Sequence, residues 1–530
     1  MKKAVNHYVN YKITRFAKVL FYLLLAVLSL VIAFTADFVL EKNQEDLYRL
    51  KNRGAYDQFI NYVDGYKLNV DQNMKVDMSY SGVCAVLENQ SKRIEIYKQK
   101  LTGDESQEAY INYSNYFLSN IADHVKEYEY ECIKNKRSVH ILQWHRQKLS
   151  RIENDRNHYV SIEILSGKRV IYTILVKSTV PFETGEDYEY LIDHFATFIP
   201  SKAPIMRVAK VVSVEERGWN QETKDTFQKY FSKDSVLTWG IFEPSAPKDF
   251  TKLKHLEASM EYEFPFLLNY TDFENKYKHS NLKSRLERAY DNNKILELTL
   301  QTSWTQEGEG NMVYDVLDGE YDRFLKDYAQ TVSEFAHPVL FRLGNEMNGD
   351  WCPYSSYNTS KDTMIFKEFY RYIHQIFDEE KADNVIWVWN PNGKSFPDFE
   401  WNDASMYYPG DQYVDIIGLT AYNTGTYYAG ESWTEFDDLY DPLYAKYNKL
   451  YRKPMMITEF ASSSIGGDKT EWVKNMFAHI KKYKKIKVAI WWNGCDWDIN
   501  GNVARPYFID ETPDLIQVFK GWLNRSGGFK

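Results

Sequence analysis

Val339 to Trp351 reads VLFRLGNEMNGDW. Five residues form an apolar run interrupted by one arginine, and the residues after them are polar, small or aromatic. A short apolar run that stops at such residues is the pattern of a buried parallel strand delivering a loop to a site. From about Ser201 onward the pattern repeats: Val236 to Phe242, Phe264 to Asn269, Ile295 to Gln301, Val339 to Leu343, Asn384 to Trp389, Asp415 to Leu419, Pro454 to Thr458 and Lys487 to Trp491. Helix-like stretches separate the runs. Eight such strands alternating with helices predict an α/β fold, a closed (β/α)8 TIM barrel over residues 201–525. The rival, an open doubly wound sheet, needs a glycine-rich phosphate turn after its first strand, and Trp239 to Pro244 (WGIFEP) is not one.

The chain upstream divides by composition. Residues 1–18 carry Lys2, Lys3, Lys12, Arg15 and Lys18 without an acid. Val19 to Ala36 then runs 18 residues without a charge, and Phe38 to Leu40 prolong the apolar tail. A helix over 19–40 spans a hydrocarbon layer of roughly 30 Å, and the basic flank keeps its start cytoplasmic, which sends the bulk of the chain outside. A transmembrane helix or signal anchor is therefore expected at the cell membrane. A cleaved signal peptide is the alternative, with Val31-Ile32-Ala33 as its site. Residues 41–54 are strongly charged and read as a stalk. Residues 55–200 read as a small antiparallel α+β accessory domain, with a strand pair over Met74 to Val86, a helix over Glu108 to Tyr130, a hairpin from Tyr159 to Ser178 and a closing helix over Glu186 to Phe198. His145 reads there as a surface residue.

The net charge of −9 disfavours bulk phosphate contacts, so nucleic acid is not an expected partner. Four cysteines in 530 residues do not make a disulfide scaffold. Cys352 and Cys495, after the fourth and eighth strands, could approach each other.

In such barrels the site lies at the C-terminal ends of the strands. That end collects Trp239, Trp304, Asn345, Glu346, Trp351, Asn390, Tyr422, Glu459, Trp491 and Trp492. It has no His cluster, no Cys pair at metal spacing and no nucleophile elbow, so neither metal nor organic cofactor is expected. Two carboxylates over an aromatic floor suit glycoside hydrolysis, in which one protonates the leaving oxygen and the other attacks the anomeric carbon or activates water. Strands four and seven lie across a barrel from each other, so Glu346 and Glu459 can meet although 113 positions separate them.

RLGNEMNGDW (342–351), YYPGDQYVDIIGLTAYN (407–423) and KPMMITEFAS (453–462) together resemble glycoside hydrolase family 26, which includes endo-β-1,4-mannanases. The resemblance covers about Ser201 to Leu523. It implies a retaining mechanism with Glu346 as acid/base and Glu459 as nucleophile. It further implies Arg342 as support of the nucleophile, Tyr422 as the tyrosine touching it, and Trp351 with Trp491 or Trp492 as sugar-subsite aromatics. Trp239, Trp304 and Asn390 are further candidates for substrate contact. One position departs. Family mannanases commonly place His before the acid/base, whereas this chain has Asn345, the pattern of the wider clan, where Asn contacts the sugar 2-hydroxyl. Mannose and glucose differ there, so Asn345 favours a gluco-configured polymer. The expectation is a retaining endo-β-glycanase acting outside the membrane on β-mannan or mixed-linkage β-glucan. The alternative is a carbohydrate-binding or scaffold barrel, and a polysaccharide synthesis or export complex is a candidate partner.

Overall fold

The computed structural model describes residues 44–103, 105–183, 185–273, 276–302 and 310–525. The expected basic segment (1–18), the expected membrane helix (19–40) and Trp304 lie outside them. Among the described residues no helix is long and apolar enough to cross a membrane.

Eight parallel strands close a barrel in sequence order: β12 (Thr238–Phe242), β13 (Phe266–Asp272), β14 (Ile295–Gln301), β15 (Val339–Leu343), β16 (Val385–Trp389), β17 (Ile416–Thr420), β18 (Met455–Phe460) and β19 (Ile486–Trp492). All eight expected runs are strands, two with identical bounds. Alternation sorts their side chains into two layers. Phe266, Leu268, Leu340, Ile386, Val388, Ile416, Met456, Val488 and Ile490 point into the barrel. Val339, Phe341, Leu343, Ile417, Ile457, Ala489 and Trp491 point out against the helices. Trp219 and Phe231 join the inner cluster, and the Trp219 indole donates to Val385 O at 2.8 Å, which places them at the end of the barrel away from the mouth.

The connection leaving β15 illustrates why its elements form. Asp362 caps the helix Thr363–Glu379, accepting from Met364 N at 3.0 Å. Ile365, Phe366, Phe369, Tyr370, Ile373, Ile376 and Phe377 then bury one face at helical spacing. Each large apolar side chain so buried contributes roughly 1.5–3 kcal/mol. The connection after β16 departs from the expected pattern, because three short 3-10 turns (Glu400–Asn402, Ala404–Tyr407, Asp411–Tyr413) stand where a helix was predicted.

The accessory domain is two antiparallel sheets. The smaller is ordered β1 (Tyr48–Asn52), β2 (Asp57–Asn61), β3 (Tyr66–Val70), β11 (Ala196–Thr197). The larger is ordered β4 (Lys75–Asp77), β5 (Cys84–Glu88), β6 (Lys92–Lys100), β10 (Val170–Ser178), β9 (His158–Leu165), β8 (Arg137–Arg146), β7 (His124–Lys134). The expected hairpin is β9–β10 and the expected strand pair is β4–β5. Three expectations change. Part of the charged stretch expected as a stalk is the edge strand β1. The helix predicted over Glu108 to Tyr130 is α1 (Gln107–Ser114), one 3-10 turn and then β7. That strand lies at a sheet edge with most residues exposed, so it lacks the apolar alternation that marks a half-buried strand. The closing helix stops at Asp193, and Ala196–Thr197 pair with β3.

The central strands of the larger sheet, β9 and β10, are buried on both faces. Val160, Ile162, Ile174 and Val176 face the smaller sheet. Tyr159, Ser161 and Glu163, which alternate with them, face the barrel. Tyr159 donates to Asp362 Oδ2 at 3.1 Å, and Lys361 Nζ reaches Ser161 Oγ at 2.8 Å and Glu163 Oε1 at 3.2 Å. The Trp144 indole donates to Ser360 Oγ at 3.2 Å, and Lys177 bridges Glu95 (2.9 Å) and Asp362 (2.6 Å). Residues 360–362 end the connection that carries Glu346, so the accessory sheet braces that connection directly. All four cysteines are free thiols, so the expected approach of Cys352 and Cys495 yields no bond.

Candidate active site

Glu459 occupies the mouth because of a β-bulge. Along β18, Met456 points in and Ile457 points out, so strict alternation would turn residue 459 outward. The register slips instead. Ile457 pairs with Leu419 and Glu459 with Thr420, leaving Thr458 as the extra residue, and the pairing with β19 is also irregular across this stretch. A bulge re-aims a side chain in this way. Thr458 is held by Leu419 O at 3.1 Å and Thr420 Oγ1 at 2.9 Å.

Two donors converge on one oxygen of Glu459. Arg342 Nη2 donates to Oε2 at 2.8 Å, and the Tyr270 hydroxyl donates to the same atom. Arg342 is fully buried and fixed by Thr299 Oγ1 (Nε, 2.8 Å) and Asn390 Oδ1 (Nη1, 3.0 Å), with Glu297 Oε1 3.1 Å from Nε. Burial opposes its charge, but Glu459, Glu297 and Tyr270 hold its pKa well above the usual arginine value. Both donors take Oε2, and neither engages Oε1.

Glu346 sits two residues beyond Gly344, and both adopt left-handed backbone, at φ 55° and 57°. For a non-glycine residue this costs of order 1–3 kcal/mol and persists only where surroundings enforce it. Here Glu346 N donates to Asn390 O at 2.8 Å, and its carbonyl accepts from Gly349 N at 2.8 Å. Burial first, and then the negative charge of Glu459, push the Glu346 carboxyl up to about 8, against the opposing effects of Arg342 and a hydrogen bond to Trp351. At neutral pH it carries a proton. One carboxyl anchored beside a cation and one held protonated by burial and its neighbour have the chemistry that an acid and a nucleophile require.

The remaining expected residues divide. Trp351 is 42% exposed beside Glu346. Trp492 stacks on its register partner Phe242 (5.1 Å, 17°) and meets Tyr422 and Tyr507 edge-on, forming an aromatic floor. Tyr422 feels the charge of Glu459, but the hydrogen bond to Glu459 comes from Tyr270. Asn345 is nearly buried at the mouth, its carbonyl accepting from the Tyr354 hydroxyl at 2.6 Å. Three candidates for sugar contact are not available for it. Asn390 is wholly buried and spends its side chain on Arg342, Thr420 and Pro391 O. Trp491 points out of the barrel, packs on Phe460 and Phe519 and donates to Tyr507 O at 2.9 Å. Trp239 also points outward, against Phe460 and Phe477, because its inward neighbour must be Gly240, where a Cβ would lie 2.8 Å from Phe266.

Tyr270, Thr299 and Glu297 were not expected from sequence. Tyr270, Thr299 and Arg342 are register partners on adjacent strands, so a polar residue inside an otherwise apolar strand was the available signal. Among the described residues, one group has metal-ligating geometry, Glu127, His145 and His158, on the accessory domain's larger sheet. His145 Nδ1 lies 2.5 Å from Glu127 Oε1, so the residue read as a surface histidine belongs to this group.

Residues 298–490 match the family model for Glycosyl hydrolase family 26. The match contains β15 through β18 and both carboxyls, so the barrel's similarity to that family includes the candidate site. The chain is 33% identical over 287 residues to Endoglucanase H of Acetivibrio thermocellus, covering 52% of this chain and 29% of that protein. It is 32% identical over 204 residues to Mannan endo-1,4-beta-mannosidase of Bacillus subtilis, covering 37% and 51%. A solved endo-beta-1,4-mannanase of Cellulomonas fimi aligns with 59% of this chain and 76% of its own at 16% identity and a TM-score of 0.44. The chain thus spans about half or less of the first curated relatives it matches.

Proposed function

We propose that the family 26 barrel is a retaining endo-β-glycanase for a gluco-configured polymer such as mixed-linkage β-glucan. The observation that carries this reading is the split state of the two carboxyls, with Glu459 pinned through Oε2 by Arg342 and Tyr270 and Glu346 held protonated. Glu459 Oε1 attacks the anomeric carbon as the glycosidic C–O bond breaks, and the Glu346 proton passes to the departing oxygen. In the second step Glu346 takes a proton from water, whose oxygen displaces Glu459 from the glycosyl-enzyme. No described group in the mouth requires a metal or organic cofactor for these steps.

Two observations support a gluco-configured substrate: Asn345 in place of histidine, and Endoglucanase H as a relative matched over 287 residues. The charge-free run after the basic segment 1–18 supports tethering at the cell membrane with the barrel outside, beside polysaccharide synthesis or export machinery. Protease digestion of intact cells, which should remove the barrel, tests that placement.

The deciding experiment offers the full chain soluble β-mannan, mixed-linkage β-glucan and β-xylan. New reducing ends should appear fastest from β-glucan and should first carry the β-anomeric configuration. Faster release from mannan would reassign the substrate. Initial α-anomers would overturn retention. Binding without new ends on any polymer would leave a carbohydrate-binding or scaffold barrel.

A further inference from the structure

The accessory domain does more than brace the barrel. Its helix α1 and the following 3-10 turn (Tyr116–Ser119) bring two tyrosines to the rim of the mouth. The Tyr113 hydroxyl donates to Asp350, the residue before Trp351, so α1 is tied to the loop bearing Glu346. Tyr113 and Tyr116 both pack on Tyr357 of that loop, Tyr113 edge-on at 5.0 Å and Tyr116 stacked at 5.2 Å and 7°. Tyr357 is 5% exposed, whereas Tyr113 is 38% and Tyr116 54% exposed. Domain cohesion explains the buried ring beneath; it does not explain two half-exposed rings above. Trp351 follows Asp350 in the chain, and Phe396, 5.3 Å from it and similarly exposed, donates its N–H to Asn348 O of the same loop at 2.8 Å. All four exposed rings therefore contact the loop that carries Glu346.

We infer that Tyr113 and Tyr116 form a distal sugar-binding platform, lent by the accessory domain, for a β-glycan chain that extends beyond the catalytic cleft. Aromatic faces suit the C–H faces of equatorially substituted sugar rings, and the hydroxyl rims suit their polar edges. Glu346 protonates the leaving oxygen, so the surface beyond it receives the leaving half of the polymer. The inference rests on the glycanase reading for its ligand class. It confines long-chain preference to residues outside the family 26 match at 298–490.

The test uses the full chain carrying Glu459→Gln, which binds polymer without consuming it, in affinity electrophoresis through mixed-linkage β-glucan. Adding Tyr116→Ala should weaken retardation about threefold to tenfold, the range for losing one aromatic contact. Tyr116→Trp, which enlarges the face, should keep or strengthen it. In the active chain, Tyr116→Ala should lower the ratio of kcat/KM on polymer to that on a short oligosaccharide, through KM. Equal retardation of parent and Tyr116→Ala, or no retardation of the parent, overturns the platform. A wild-type chain that is retarded but cuts no glycan overturns the hydrolase reading and leaves the platform standing.

Discussion

Arg342 Nη2 and Glu459 Oε2 lie 2.8 Å apart with the arginine wholly buried and the glutamate 4% exposed. Such a pair is costly to assemble and costlier to halve, because removing one partner strands a buried charge. Arg342→Met leaves Glu459 without its cation and Asn390 without its donor. The variant should lose about 3–5 kcal/mol of stability and most of its turnover. Chemical denaturation and reducing-end assays read both. A variant of unchanged stability would show that water already reaches the pair.

The two donors on Glu459 act differently along the reaction. In the proposed double displacement the carboxylate leaves when the glycosyl-enzyme breaks down, and the Tyr270 hydrogen bond stabilises the returning charge. A hydrogen bond to a charged group is worth about 1.5–3 kcal/mol. Tyr270→Phe should therefore slow the second step roughly tenfold to a hundredfold. With an activated aryl glycoside it should show a burst of leaving group followed by slow turnover. Tyr422→Phe, which removes no hydrogen bond to Glu459, should show no such burst.

The proposed mechanism requires Glu346 protonated, and its carboxyl is pushed up to about 8 by burial and by Glu459. kcat/KM should hold through neutral pH and fall as pH rises through about 8, and Glu346→Gln should abolish that limb along with most activity. Glu297, fully buried beside Arg342, is likewise raised to about 8, chiefly by burial. Between its unfolded value near 4.5 and about 8 the folded chain binds more protons than the unfolded one, so this group's contribution to stability falls with rising pH. Glu297→Gln should match the wild type at pH ~4.5 and exceed it by pH ~8, by on the order of 1 kcal/mol per pH unit crossed. Urea melts at the two pH values check the sign. A variant that gains nothing on the alkaline side would mean Glu297 is ionised in the fold.

The barrel was legible because its strands are buried on both faces and read as short, mainly apolar runs; Ile295–Gln301 and Val339–Leu343 end where the sequence pattern ends. Period two also settles what adjacent tryptophans leave open, since Ile490 and Trp492 point in and Trp491 points out. Other features were hidden for physical reasons. The bulge at Thr458 carries no glycine or proline to announce it. Asn390 stands at a strand end like a ligand-binding residue, yet Arg342 consumes it, and Arg342's three-strand network is set by register rather than by spacing. In β9 the alternation marks a strand, but it cannot tell whether the set Tyr159, Ser161 and Glu163 meets water or a second domain.

That second domain supplies the last expectation. Lys361 has left-handed backbone at φ 55° and is 1% exposed, with Nζ on Ser161, Glu163 and Asn115 of the accessory domain. Burial pulls its pKa below the ordinary lysine value, and the Glu163 carboxylate opposes that fall. Lys361→Met removes the cation and leaves Glu163 buried with only His140 and Ser161 as partners. The cost should be about 3–5 kcal/mol. Because Lys361 ends the connection that begins at Glu346, turnover should fall in the same variant well below its melting temperature. Deleting residues 55–200 would expose Lys361, Asp362, Tyr357, Phe399 and Trp401 together, so the isolated barrel should aggregate rather than hydrolyse. A soluble, fully active barrel lacking those residues would show that the brace is dispensable.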